Sequence, residues 1–128
     1  MALFEKHFNV EEATALLPEL REILGHIKTL RDKLVIDVEG ALPVIRKMKE
    51  NGGGHEANAY LDRVQELNGR LRRLGELGVQ IKDVDKGLVD FPAWRGDQEI
   101  FLCWHLGEEA IRFWHTIESG FSGRQPLE

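Results

Sequence analysis

The chain has 128 residues, with 17 Lys and Arg against 22 Asp and Glu for a net charge of −5, and is 42% hydrophobic and 30% charged. That length suits one domain with a core of its own. The composition excludes disorder over most of the chain, and the acidic balance argues against nucleic acid as the main partner, since phosphate binding needs a strongly basic face. The single Cys excludes an internal disulfide, no apolar run reaches the roughly 20 residues of a membrane span, and the opening MALFEKHFN lacks a signal-peptide layout. A cytoplasmic protein is expected.

From Asn9, NVEEATALLPEL reads as a helix start in which Asn9 caps and Glu12 reaches back to the backbone N–H of Asn9. Pro18 lacks a backbone donor and disfavours helical dihedrals at Leu17, so the pattern predicts a break or kink there. Beyond it, Leu20, Ile23, Leu24, Ile27, Leu30 and Leu34 recur at spacings of three and four, one buried stripe of a helix ending near Gly40. A second stripe, Ala57, Tyr60, Leu61, Val64, Leu67, Leu71 and Leu74, stops at Gly78. Two amphipathic segments joined by a connection with Pro43 and Gly52-Gly53-Gly54 predict a long antiparallel, coiled-coil-like hairpin over 9–77. Within the connection, Val44 to Glu50 is expected to form a short extra helix, and the glycines a mobile loop. The basic clusters Arg46, Lys47, Lys49 and Arg70, Arg72, Arg73 read as solvated helix faces.

After Gly78 the period changes to two. VQIKD, GLVDF and EIFLCW, separated by the turn segments DKG and RGD, predict a small three-stranded antiparallel sheet. In the last strand Ile100, Leu102 and Trp104 face one way, Phe101 and Cys103 the other, with both sides covered. From Glu108 to about Ile117 the spacing of Ala110, Phe113, Trp114 and Ile117 predicts a C-terminal helix with Glu108, Arg112 and His115 on its polar face. The tail ESGFSGRQPLE reads as irregular, and the whole as one α+β domain with the sheet, helix and tail over 78–128.

The run LCWHLGEEAIRFWH, residues 102 to 115, is where function concentrates, because it holds the only Cys, two of three Trp and two of five His. His105, Glu108 and His115 form a candidate metal set for zinc or iron, since imidazole with carboxylate suits either ion. A helix would hold Glu108 and His115 about 10 Å apart, so a further ligand such as Asp90 or His7 would have to fold over. Asp90 interrupts an apolar strand and needs a partner, for which Arg112, Arg95 and Arg124 are the candidates. Cys103, among large apolar groups, reads as a small hydrophobe with a raised pKa, and Trp94, Trp104 and Trp114 as packing. No GxSxG, phosphate-binding loop or dinucleotide fingerprint is present.

FNVEEATALLPEL, GVQIKDVDKGLVDFPA, LCWHLGEEAIRFWH and GFSGRQPL together resemble a bacterial family, domain of unknown function 2203, along nearly the whole chain. The resemblance implies no activity or cofactor. His105 stands where that family's pattern has Arg, while Asp90, Glu108, His115 and Arg124 fall on matched positions. Coiled families of this kind carry a division-initiation label that long-helix similarity alone generates.

Two functions are therefore expected. The first is a non-enzymatic interaction protein that forms a homodimer through the hairpin, because two helices alone seldom bury their stripes. The alternative is a metal- or small-molecule-binding protein, or an enzyme, with a polar pocket where Asp90, Trp104, Glu108, Arg112, His115 and Arg124 converge.

Overall fold

A computed structural model describes residues 2–51 and 55–127, and their side chains at 2–34 and 58–127. Two helices, α1 (Val10–Asn51) and α2 (His55–Leu77), precede five strands: β1 (Gln80–Asp83), β2 (Leu88–Arg95), β3 (Gln98–His105), β4 (Phe113–Thr116) and β5 (Gln125–Pro126). A single 3-10 turn, Phe121–Gly123, lies before β5. The strands pair antiparallel in chain order, β1-β2-β3-β4-β5, so the sheet is a meander. The α+β class is as expected.

The start of α1 is the predicted capping box: the Glu12 N–H donates to Asn9 Oδ1 at 2.7 Å, and the Asn9 N–H to Glu12 Oε1 at 3.0 Å. The helix does not break at Pro18, nor does it end near Gly40; it runs unbroken to Asn51. Pro18 is exposed, and on the opposite face Ala13, Leu17, Leu20, Leu24 and Ile27 are buried on both sides of it. Burying each such side chain contributes about 1.5–3 kcal/mol, so together they outweigh the ~3 kcal/mol that an interior proline costs. The proposed extra helix Val44 to Glu50 is absorbed into the backbone of α1, and the Gly52 to Gly54 loop lies outside the described residues.

The two helices run antiparallel, with Arg73 of α2 gripping Glu19 of α1 at 2.9 Å, and α2 stops at Gly78 as its sequence predicts. Of its stripe, Leu74 is buried, Leu67 and Leu71 are partly so, and Leu61 is 46% exposed. One face of the sheet, with Val89, Phe91, Ala93, Ile100, Leu102, Trp104 and Trp114, joins the α1 and α2 stripes in a single core. The described part of α1 thus hides its stripe within its own chain.

Register follows from one turn. Gly96, with φ +64°, takes the first central position of the two-residue β2–β3 loop, where a II′ hairpin turn demands glycine. Arg95 then faces Gln98, and counting back sets Asp90 against Cys103.

The sheet corrects two expectations: among the described residues it has five strands rather than three, and they include no C-terminal helix. Residues 108–112 are irregular and Phe113–Thr116 is β4, paired to β3 with His115 opposite Phe101. A short apolar run cannot be assigned by period alone. Here the aromatic and β-branched content of IRFWHTI favours a strand, whose alternation places Phe113 and His115 on one face and Trp114 on the other.

Candidate functional site

Among the described residues, the helices pack against the face of the sheet that carries Val89, Phe91, Leu102 and Trp114. On the other face the pleat brings Asp90 of β2, Cys103 of β3 and His115 of β4 side by side, all buried, and Asp90 and His115 are each only 2% exposed. Their ligating atoms lie within 4.8 Å of one another.

His115 Nε2 stands 2.9 Å from Asp90 Oδ1, and His115 Nδ1 stands 2.7 Å from the Thr116 carbonyl. A carbonyl only accepts, so Nδ1 carries a proton and donates it. Nε2 and Oδ1 then share one further proton, and the pair is neutral overall wherever that proton resides. Burial raises the Asp90 pKa, which the hydrogen bond and charge of His115 and the charge of Lys82 oppose. Burial also pushes the Cys103 thiol up to about 11, reinforced by the charge of Asp90 and opposed by Arg124. A thiol so protonated is no ready nucleophile.

Asp90 and His115 form the floor of a cleft of about 310 Å³ whose walls include Phe101, Leu88, Ile117 and Phe121. Lys82 and Lys86 also line it, their ammonium groups 4.9 Å and 5.3 Å from the ring centres of Phe101 and Phe121. With the floor neutral, two lysines against Asp83 leave the lining net positive in an acidic protein. Alternation along β1 sets Lys82 on the same face as Gln80 and Asp90, and the bulge between Ile81 and Asp83 brings Asp83 opposite Leu88 beside it.

The other predicted site residues divide around this cleft. Asp90 finds His115 as its partner rather than Arg112, Arg95 or Arg124. Arg95 lies instead over the Trp114 ring at 4.4 Å, and Arg112 is exposed. The expected Glu108–Arg112 helix pair has no helix to form on; Glu108 Oε1 instead takes the His105 N–H at 3.0 Å and pairs with Arg124 at 3.3 Å. His105 Nε2 lies 3.4 Å from the same oxygen, so His105 and Glu108 meet each other while His115 meets Asp90 and Cys103. Trp104 is buried on the helix-covered face, where its Nε1–H donates to the Glu108 carbonyl, and so stays out of the cleft. Trp94 is half exposed and stacks on His7 at 4.4 Å, so only two of the three Trp belong to the core.

Sequence reasoning missed Lys82, Lys86, Phe121 and the membership of Cys103. The turn at Gly96 was the available signal for Cys103, since it fixes that residue opposite Asp90.

The family described as "Uncharacterized conserved protein (DUF2203)" matches residues 6–127, and the chain belongs to it. No curated protein and no solved structure matches the chain. No helix among the described residues is long and apolar enough to cross a membrane.

Proposed function

We propose that this member of the DUF2203 family binds a small anionic ligand with an apolar body in the cleft on the helix-free face of its sheet. The observation that carries this reading is the lining itself: a buried polar floor of Asp90 and His115, aromatic walls, and two lysines at their edge. A few convergent polar groups in a largely apolar concavity are what ligand sites have in common. Lys82 and Lys86 supply the charge that favours an anion, and Phe101, Phe121 and Leu88 the surface that favours an apolar body.

Benzoate and inorganic phosphate are suitable probes, titrated against the labelled protein by NMR. Benzoate should shift the resonances of Phe101, His115 and Phe121 saturably, and Lys82→Ala with Lys86→Ala should weaken it about tenfold or more. Phosphate should bind more weakly. Shifts scattered over the surface, or affinity unchanged in the double variant, would overturn the reading.

Self-association through the hairpin keeps one observation in its favour, the 46% exposed Leu61 on the outer part of α2. Light scattering on the wild type and on Leu61→Glu tests it: a dimer that the substitution dissociates supports it, and a monomeric wild type refutes it.

A further inference from the structure

We infer that Asp90, Cys103 and His115 form a binding site for a divalent transition metal ion, zinc above all, at the floor of the cleft. This deepens the ligand-binding reading, and rests on it only for the position the ion leaves open.

The protonation pattern is the starting point. Because Nδ1 donates to the Thr116 carbonyl, the lone pair of Nε2 points at the Asp90 carboxylate 2.9 Å away. Two electron-rich atoms at that distance require a cation between them. In the free chain it is one proton. Metal-bound histidines are held in the same way, one ring nitrogen donating to a backbone carbonyl and the other facing the ion.

The third donor makes this a metal set rather than an isolated hydrogen bond. Cys103 Sγ lies with Nε2 and Oδ1 inside a 4.8 Å span, slightly wider than two metal–ligand bonds of about 2.0–2.3 Å laid end to end, and a rotation of the Cys103 side chain draws Sγ in to close all three around an ion. Mixed sulfur, nitrogen and oxygen donors suit zinc better than magnesium or calcium, which take oxygen alone. Charge also balances, since a carboxylate and a thiolate neutralise a dication in a site where all three residues are buried. Arg124, held by Glu108 at 3.3 Å, supports the thiolate from the side. A three-ligand zinc leaves a fourth position, here toward the cleft that Asp90 and His115 line.

Binding involves no redox change: the ion takes the electron pairs of Nε2, Oδ1 and Sγ, and the proton of the Asp90–His115 pair and that of the thiol pass to solvent. Two protons per ion mean that apparent affinity rises about a hundredfold per pH unit while both are bound.

The test is to titrate the full chain, treated with a chelator and then freed of it, with Co²⁺ alone. One equivalent should give the visible bands of a tetrahedral ion and the near-ultraviolet sulfur-to-cobalt absorption, and one equivalent of Zn²⁺ should abolish both. Cys103→Ser should lose the sulfur absorption, while His26→Gln, on the exposed face of α1, should keep it. A wild-type spectrum without the sulfur absorption overturns the proposal and needs no variant to fold. Loss of metal binding with benzoate binding intact would remove this inference and leave the ligand site standing; loss of benzoate binding alone would do the reverse.

Discussion

Replacing His115 by Leu in the presence of a chelator isolates the energetics of the buried pair. The substitution removes the group 2.9 Å from Asp90 Oδ1 and leaves a carboxyl that is 2% exposed without its partner. Breaking one side of a buried pair costs about 3–5 kcal/mol. Asp90→Asn should cost only about 1 kcal/mol, because the Asn amide donates to the same Nε2 and keeps one neutral hydrogen bond. Replacing both residues by Leu, which resembles Asp in shape, removes the orphan along with the pair and should recover most of the loss, leaving a coupling of about 3 kcal/mol. Urea unfolding at neutral pH reads these values, and with a slope of about 2 kcal/mol per molar the His115→Leu midpoint falls by about 2 M. The sign with pH is also set. Burial places the folded pKa of Asp90 above its unfolded value, so its contribution is fully present below the unfolded pKa and is lost as pH rises through the folded one. The His115→Leu variant, lacking the opposing hydrogen bond, should lose stability with rising pH more steeply than wild type. Single and double variants that add within about 0.5 kcal/mol would refute the coupling.

Three further outcomes are expected. Glu99 accepts the N–H groups of Leu3 at 2.7 Å and Phe4 at 3.2 Å and pairs with His7 at 2.8 Å, contacts that lower its pKa. This N-terminal clasp should hold above the ordinary glutamate range and open as pH falls through the lowered value, and Glu99→Gln should loosen it at every pH; hydrogen exchange at Leu3 and Phe4 reads both effects. Pro18→Ala should raise the melting temperature by several degrees, because it restores a helix N–H and removes a ring clash at an exposed position, and an unchanged or lower value would contradict the account of α1. Gly87→Ala should lower stability by about 1–3 kcal/mol, since φ is +61° and an added Cβ would stand 2.7 Å from Leu106 Cβ; calorimetry showing no loss would refute this.

Much of the frame was legible because its signals are local. The Asn9 capping box, the stop at Gly78 and the first three strands follow from capping chemistry, glycine and alternation over a few residues. Pro18 misled because its cost is local whereas the burial of Leu17, Leu20 and Leu24 that overrides it is tertiary. β4 was hidden for a related reason: in a four-residue strand, Phe113 and Trp114 satisfy a helical spacing as well as an alternating one. That misassignment carried the site with it, because only as a strand does β4 aim His115 at Asp90, whereas a helix would have grouped it with Glu108 and Arg112. Asp90 and His115 were both singled out from the sequence, but for separate reasons. Their pairing needed β4, whereas Lys82 follows from the alternation of β1 itself, which sets it on the same face as Gln80 and Asp90.

The shared core has a consequence for synthesis. Leu24 of α1 and Trp104 of β3 belong to one cluster yet are separated by about 80 residues of chain. At translation rates of about 5–20 residues per second, the leucines that leave the ribosome first wait several seconds for the strands that shelter them. During that interval the nascent hairpin presents a greasy ridge to solvent, an opening for chaperones and for neighbouring nascent chains alike.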